Sequence, residues 1–406
     1  MKWIKNIAHP HAYILFFIVI SLLALIPNGL GWRIDMEDYP QEYIGLTVFY
    51  VIFYLLGYYI PLGTKKPEKR EISISMINFF HITYFILLGF FIIKFIYVGG
   101  IPLISDSPFL RTKMGKLGGF VDYPTKAISL LGIVAYYFYI SRKNSLYIFQ
   151  FIISIVLNIL FAERSLIVFT LVGALILYVQ YHKVSLKTFG IVLFLGLLML
   201  FFIGWVQIVR LGGKNNLDRS GKKSALEVGA WVIQGDLTGS QKFGAYVVDK
   251  LHENYLYGKY TFGTYLAVFV PNFEEHGAEY LQKEFTEKRT AQSAAIPYSY
   301  FMDFGYLSLI FPLIIGMISR YIYLKFKTLN SPFYNILYPT YFFGLLWSVR
   351  SGNFPIEPKF IYYLLVLIFV FNPHFHKRIN NEIITLLRLI FIGTLAVSFI
   401  ALLIRW

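Results

Sequence analysis

The chain has 406 residues, of which 57% are apolar and 15% charged, against roughly 45–50% and 25% in ordinary soluble domains. That balance excludes a soluble globular enzyme and reads as an all-α, polytopic integral membrane protein. The formal net charge of +15 points away from nucleic acid, because most basic residues sit in short loops where topology and anionic lipid account for them. The absence of cysteine excludes disulfides, thiolate nucleophiles and Cys-ligated metals.

Apolar runs of about 16 to 22 residues predict roughly eleven membrane helices, near 12–30, 43–62, 78–98, 124–140, 146–161, 166–181, 188–208, 305–323, 333–349, 355–371 and 383–404. The first run follows Lys2 and Lys5 but lacks an Ala-x-Ala cleavage site, so it reads as a retained span. Lys65, Lys66, Lys69 and Arg70, then Arg142 and Lys143, Lys183 and Lys187, Lys325 and Lys327, and Lys377 and Arg378 fall on alternate connections. The positive-inside rule makes these cytoplasmic. The acidic connection with Asp35, Glu37 and Asp38 then faces out, the N-terminus faces in, and Lys94 and Arg388, near span ends, are expected to snorkel. The expected division is a first set of spans over 1–209, an extracytoplasmic loop over 210–304 and a second set over 305–406.

That loop of roughly 95 residues is where an enzyme acting on a lipid-anchored substrate would keep its polar structure; a transporter keeps its working groups among its spans. Phe243, Val247, Leu251 and Tyr255 recur at helical spacing and predict an amphipathic helix over 240–256 that packs on other helices. A second is expected over 278–288, where Glu279 with Lys283 and Glu284 with Lys288 are i,i+4 pairs and Leu281 shares a face with Phe285. His252 and His276 have no metal-ligand partner at a suitable spacing, so no metal site is read.

Six arginines on outward connections are left unexplained by the positive-inside rule: Arg111, Arg164, Arg210, Arg219, Arg289 and Arg350. Arg111 lies in a Gly-rich segment with Lys113 and Lys116, which reads equally as a solvated loop. Arg164 is more pointed. The run 146–181, near 54 Å as one helix, is too long for a single span and must fold back at Ala162-Glu163-Arg164-Ser165. A charge there is costly and calls for a function, which is favoured over snorkelling. Arg210 and Arg219 belong to a basic, Gly-rich segment after the seventh run, and Arg350 follows Trp347 in WSVRSGNFPIEPK; both places also suit interfacial anchors.

A planar guanidinium pairs bidentately with phosphate and stabilises negative charge developing on a leaving diphosphate. Glycosyl transfer from a lipid diphosphate sugar also needs a group to accept the acceptor's proton. Glu163, Glu274, Glu275, His276 and Asp303 share the outward side by topology, and the sequence leaves the choice among them open. No Walker loop or HExxH motif competes.

GGIPLIS after the third run, the ERSLI turn, YGKYTFGTYLAVFVPN, TAQSAAIPYSYFMDFGYLSLI and VRSGNF together resemble the Wzy-type oligosaccharide repeat-unit polymerases, relatives of the O-antigen ligases, over nearly the whole chain. The resemblance implies a GT-C-like multi-span fold in a bacterial inner membrane, with the large loop periplasmic or extracellular. The reaction it implies moves a growing undecaprenyl-diphosphate-linked glycan onto a new lipid-linked unit, without a metal or other cofactor. Chain-length regulators and flippases are the implied partners. The family's Arg-x10-Gly and Arg-x15-Gly patterns match Arg210 to Gly221 and Arg289 to Gly305, although family members with two large outer loops carry these arginines on separate loops and this chain carries both on one. By resemblance, Arg164, Arg210, Arg289 and Arg350 recognise diphosphate and acceptor. The rivals are a flippase or exporter of the same lipid-linked glycan, disfavoured by uncharged span middles and the lack of an internal repeat; a polyprenyl-phosphate sugar transferase, which would use Asp35, Glu37 and Asp38; and a membrane O-acyltransferase, which would place its catalytic groups on inner loops.

Overall fold

The computed structural model describes residues 8–25, 44–63, 69–103, 119–182, 225–252, 254–269, 277–285, 293–352 and 354–371, with isolated positions between 190 and 205. Every element among these residues is helical. In chain order they are α1 (Pro10–Ala24), α2 (Ile44–Tyr59), α3 (Ile74–Val98), α4 (Gly119–Lys126), α5 (Ile128–Arg142), α6 (Ser145–Leu160) and α7 (Arg164–Tyr181). Then follow α8 (Ala225–Leu251), α9 (Lys259–Phe269), α10 (Gly277–Phe285), α11 (Tyr298–Phe304), a 3-10 turn (Gly305–Leu309), α12 (Ile310–Lys327), α13 (Pro332–Ser348) and α14 (Pro358–Phe371).

Local chemistry explains where these helices begin and end. Ser73 caps α3 by accepting the Met76 N–H at 3.2 Å, and Gly99 ends it in the left-handed conformation at φ 80°, a backbone geometry that costs glycine nothing. Asn144 caps α6 through the Leu146 N–H at 2.9 Å, and Pro10 and Pro332 open their helices where a missing N–H does no harm. Ile74–Val98, Arg164–Tyr181 and the continuous Tyr298–Lys327 are long and apolar enough to cross a membrane, and α1, α2, α6 and α14 are shorter apolar helices. Leu15, Val48, Phe49, Phe85, Ile92, Phe149 and Ile152 are exposed on them; an apolar face of that extent suits lipid rather than water.

Several predicted runs shift. The run expected at 124–140 divides at Ala127 into α4 and α5, with Pro124 inside the short helix. The amphipathic helix expected from about 240 begins at Ala225 and stops at Leu251, so Tyr255 lies beyond it. The predicted run 383–404 lies outside the described residues, and 188–208 is described only at isolated positions. The reversal predicted within 146–181 is present: α6 has 16 residues, α7 has 18, and only Phe161, Ala162 and Glu163 lie between them.

Two buried clusters organise the molecule. The larger runs through the apolar helices and is rich in tyrosine, with Tyr13, Tyr50, Tyr54, Tyr338 and Tyr341 all but inaccessible. Burying a hydroxyl is costly unless it finds a partner, and four of these five do. Tyr13 bonds Tyr50 at 2.9 Å, Tyr341 donates to the Ile315 carbonyl at 3.1 Å, and Tyr338 donates to the Ala8 carbonyl. The smaller cluster joins Phe243, Val247 and Leu251 of α8 to Tyr260, Leu281, Tyr298 and Met302, with Leu46 of α2 beneath. Leu281 is fully buried there, so α10 packs against its neighbours instead of lying free on a surface.

The two ends of the bundle differ in kind. The Arg70 N–H bonds the Asn330 carbonyl and the Arg142 guanidinium reaches the Ile72 carbonyl, which collects the Lys/Arg-rich connections at one end. The Leu103 N–H bonds the Leu160 carbonyl at 3.1 Å, which places the turn between α6 and α7 at the other.

Candidate functional site

Four pieces of chain meet at the end that carries the α6–α7 turn: the last turns of α3, the short helix α4, the turn itself, and the segment from Trp347 to Lys359 between α13 and α14. The turn is made in three residues, each of whose N–H groups is bonded. The Glu163 N–H donates to the Asn158 carbonyl at 2.9 Å, and the Glu163 carbonyl accepts from Leu166 and Ile167 to open α7. Ala162 makes the reversal at φ 55°. Arg164 is therefore the first residue of α7. A cation at a helix N-terminus stands at the unfavourable end of the macrodipole, so helix stability does not account for it.

Lys94, expected to snorkel, is instead 1% exposed. Its ammonium lies 3.7 Å from an Asp122 carboxylate oxygen, 3.3 Å from the Thr125 hydroxyl and 3.8 Å from the centre of the Phe161 ring. The physical reason is α4, most of which, Asp122 included, falls before the span predicted at 124–140. Folded back as a separate helix, it presents Asp122 to the α3 cation, and pairing outweighs escape to the interface. Asp122 also pairs with Lys126 one turn on. Burial works against the Lys126 charge, but Asp122 first and then Glu163 more than offset it, so its pKa is raised. The Tyr363 hydroxyl of α14 donates to the Lys126 carbonyl at 3.2 Å and ties α4 to the next wall of the site.

That wall borders a small, partly open cleft, lined among others by Ser165, Phe169, Trp347, Glu357, Lys359 and Tyr363. Arg164 precedes Ser165, one of the lining residues. The Arg350 guanidinium carbon lies 4.9 Å from the centre of the ring of Trp347, one of the lining side chains, a cation–π contact that holds the planar group. The last turn of α13 is held by the segment 293–299. Ile296 N–H donates to Ser348 O, Gly352 N–H to Ala294 O, Ser293 Oγ to Arg350 O and Ser299 Oγ to Gly352 O, all within 3.1 Å. Glu357 follows, its carboxylate 3.3 Å from the Lys359 ammonium. Burial, joined by Glu357 and Asp122 and opposed by Lys126, pushes the Tyr123 hydroxyl up, which puts Glu357 and the α4 charges in one electrostatic neighbourhood. Among the described residues, this end of the bundle carries Lys94, Lys126, Arg164, Arg350 and Lys359 together with the carboxylates Asp122, Glu163 and Glu357.

Of the residues singled out from sequence, Glu163, Arg164 and Arg350 come together here. Glu163 is 8% exposed and sits beneath the rim. Asp303 goes elsewhere: fully buried, it accepts from the backbone N–H groups of Tyr260 at 3.0 Å and Thr261 at 2.6 Å. It therefore caps α9, and no substrate reaches it in this arrangement. Asp303→Ala would leave both N–H groups unpaired in a buried site, and we expect a loss of about 3 kcal/mol, read as a lower thermal midpoint of the purified protein. His252 ends α8 at φ 43°, away from the cleft-lining residues. Arg111, Arg210, Arg219, Arg289, Glu274, Glu275 and His276, like Asp35, Glu37 and Asp38, lie outside the described residues.

Glu357 and Lys359 were missed in sequence. The signal was present in FPIEPK, where a carboxylate stands between two prolines just before an apolar helix, but the prolines read only as helix breakers. Compared with known proteins, residues 6–220, more than half of the chain, match the family model described as "putative O-antigen polymerase". The matched stretch contains the α6–α7 turn but ends before Arg350 and Glu357. No curated protein and no solved structure matches the chain.

Proposed function

The chain belongs to the O-antigen polymerase family, and from that premise we propose that it polymerises lipid-linked oligosaccharide repeat units. The growing glycan would leave its undecaprenyl diphosphate carrier and join the terminal sugar of a new lipid-linked unit at the outer face of the inner membrane, giving O-antigen or capsule. The observation that carries this reading is the cleft lined by Ser165, Trp347, Glu357 and Lys359, with Arg164 next to Ser165 in the chain and Arg350 stacked on Trp347, at the end of the bundle opposite the Lys/Arg-rich connections. If those connections are cytoplasmic, the cleft opens outward, where such units are presented. Two guanidiniums match two phosphates in geometry and charge, and Arg210 and Arg289 are proposed to complete the recognition from the segments around them.

The test is the surface glycan length profile of cells lacking the gene, complemented with wild type or Arg164→Ala at equal membrane abundance. We expect single-repeat glycan in the deletion, long polymer with wild type, and polymer reduced about 100-fold with Arg164→Ala, as for removal of one charge-stabilising donor. Polymer of normal length in the deletion strain, with only a decoration missing, would replace this reading with an acyltransferase. The absence of any repeat unit at the outer face would replace it with a flippase.

A further inference from the structure

Three carboxylates border the cleft, and their surroundings separate them. Asp122 is committed to Lys94 and Lys126. Glu163 is nearly buried beneath the rim. Glu357 lines the cleft itself, with about a quarter of its side chain accessible. Its backbone is held firmly on both sides. Upstream, the Tyr300 hydroxyl donates to the Phe354 carbonyl at 2.8 Å and the Tyr265 hydroxyl of α9 to the Ile356 carbonyl. Downstream, the Glu357 carbonyl accepts from Phe360 and Ile361 at 2.9 and 3.2 Å, which makes it the N-cap of α14 with Pro358 in the first helical position. Its carboxylate is free of that capping role. It stands at the N-terminal end of α14, 3.3 Å from the Lys359 ammonium.

We infer that Glu357 is the catalytic base of this site, the group that takes the proton from the attacking sugar hydroxyl. The inference rests on the polymerase reading above. In the step it serves, the acceptor hydroxyl oxygen forms a bond to the anomeric carbon of the donor glycan. The bond from that carbon to the diphosphate oxygen breaks, and its electron pair leaves with the lipid diphosphate. The hydroxyl proton passes to the Glu357 carboxylate and is later released to water, while Arg164 and Arg350 meet the charge that develops on the leaving group. No oxidant, reductant or metal enters the balance. The same arrangement gives Asp303 and Tyr265 a positioning role: Asp303 holds the start of α9, and Tyr265 on α9 holds the peptide just before Glu357.

Membranes from cells of the deletion strain supply the lipid-linked units, and purified wild type, Glu357→Gln and Glu357→Asp are compared in them for polymer formed per minute across pH. Undecaprenyl diphosphate alone serves as the binding probe. We expect Glu357→Gln to lose about 100- to 10,000-fold in rate while its thermal midpoint and its affinity for undecaprenyl diphosphate stay within threefold or a few degrees of wild type. The residual rate of Glu357→Gln should vary less with pH than the wild-type rate. Glu357→Asp should keep part of the rate. Glu357→Gln working within threefold of wild type overturns the inference and leaves the polymerase reading standing, and a variant that fails to fold or to bind the diphosphate overturns it in favour of a structural role. Wild type that forms no polymer from these units sinks the polymerase reading itself, and this inference with it.

Discussion

Arg350→Ala is expected to leave cells with single-repeat glycan, a fall in polymerisation of about 100- to 1,000-fold, or roughly 3–4 kcal/mol of transition-state stabilisation. The size follows from where charge appears. A diphosphate gains negative charge only as the glycosidic bond breaks, so a donor fixed in advance helps the transition state more than the ground state. Arg350 is fixed by the Trp347 ring beneath it and by Ser293 Oγ on its own carbonyl. Arg350→Lys keeps the charge but loses both the planar fork and the stacking, and we expect it to recover less than a tenth of the lost rate. Trp347→Ala should act through Arg350 and cost about 1 kcal/mol, near a fivefold loss. The comparison variant is Arg70→Ala, exposed at the opposite end of the bundle, which should polymerise normally. If Arg350→Ala and Arg70→Ala give the same glycan profile, the guanidinium is an interfacial anchor and the cleft has no part in recognition.

How far the site was legible depended on what each residue's position rests on. Arg164 could be found because its placement follows from length alone: 146–181 is too long for one helix and too apolar for a loop, so the charged pair in its middle had to be a turn. Arg350 could be found because a cation beside Trp347 on an outward connection has no topological reason to be there. Lys94 was misread because its partner, Asp122, belongs to a short helix that reads in sequence as the end of a Gly-rich connection. Asp303 was misread for a related reason. A carboxylate near the mouth of a span looks catalytic in sequence, whereas its partners are N–H groups more than forty residues away, at the start of α9. Glu357 escaped because prolines on either side hide a helix cap inside what reads as a break. The apolar runs themselves carried the helical class and the order of the elements, since helix length and hydropathy are local properties. Tertiary partners are not.

The most severe effect on the fold is expected from Gly316→Val or Gly57→Val, where α2 and α12 cross. A Cβ on Gly57 would overlap the Leu313 carbonyl oxygen and lie 2.7 Å from its carbon, and a Cβ on Gly316 would overlap the Tyr54 carbonyl oxygen and lie 2.8 Å from the Tyr58 nitrogen. The obstructing atoms are backbone, so no rotamer change relieves them and the helices must separate. In lipid, where apolar side chains gain little by leaving the solvent, such close approach through small residues is a main source of helix association. One turn further on, the Arg320 guanidinium donates to the Tyr58 and Ile60 carbonyls at 3.0 and 3.1 Å, groups left open at the end of α2. The glycines thus set the distance between the helices and Arg320 the register. We expect either valine variant to cost about 4 kcal/mol or more and to appear as lost accumulation or a lost thermal transition in detergent. Gly89→Ala, in the interior of α3 with nothing within 4 Å of the added carbon, should instead be neutral or stabilise by up to about 1 kcal/mol. Gly316→Ala separates stability from activity. Tyr300 stacks on Phe311 of α12 with ring centres 4.3 Å apart and donates to the Phe354 carbonyl. A small displacement of α12 therefore passes to the peptide that carries Glu357, and a Gly316→Ala protein that still accumulates should polymerise more slowly than wild type. Full activity in that variant would mean that the α2–α12 crossing supports the fold alone and has no hold on the cleft.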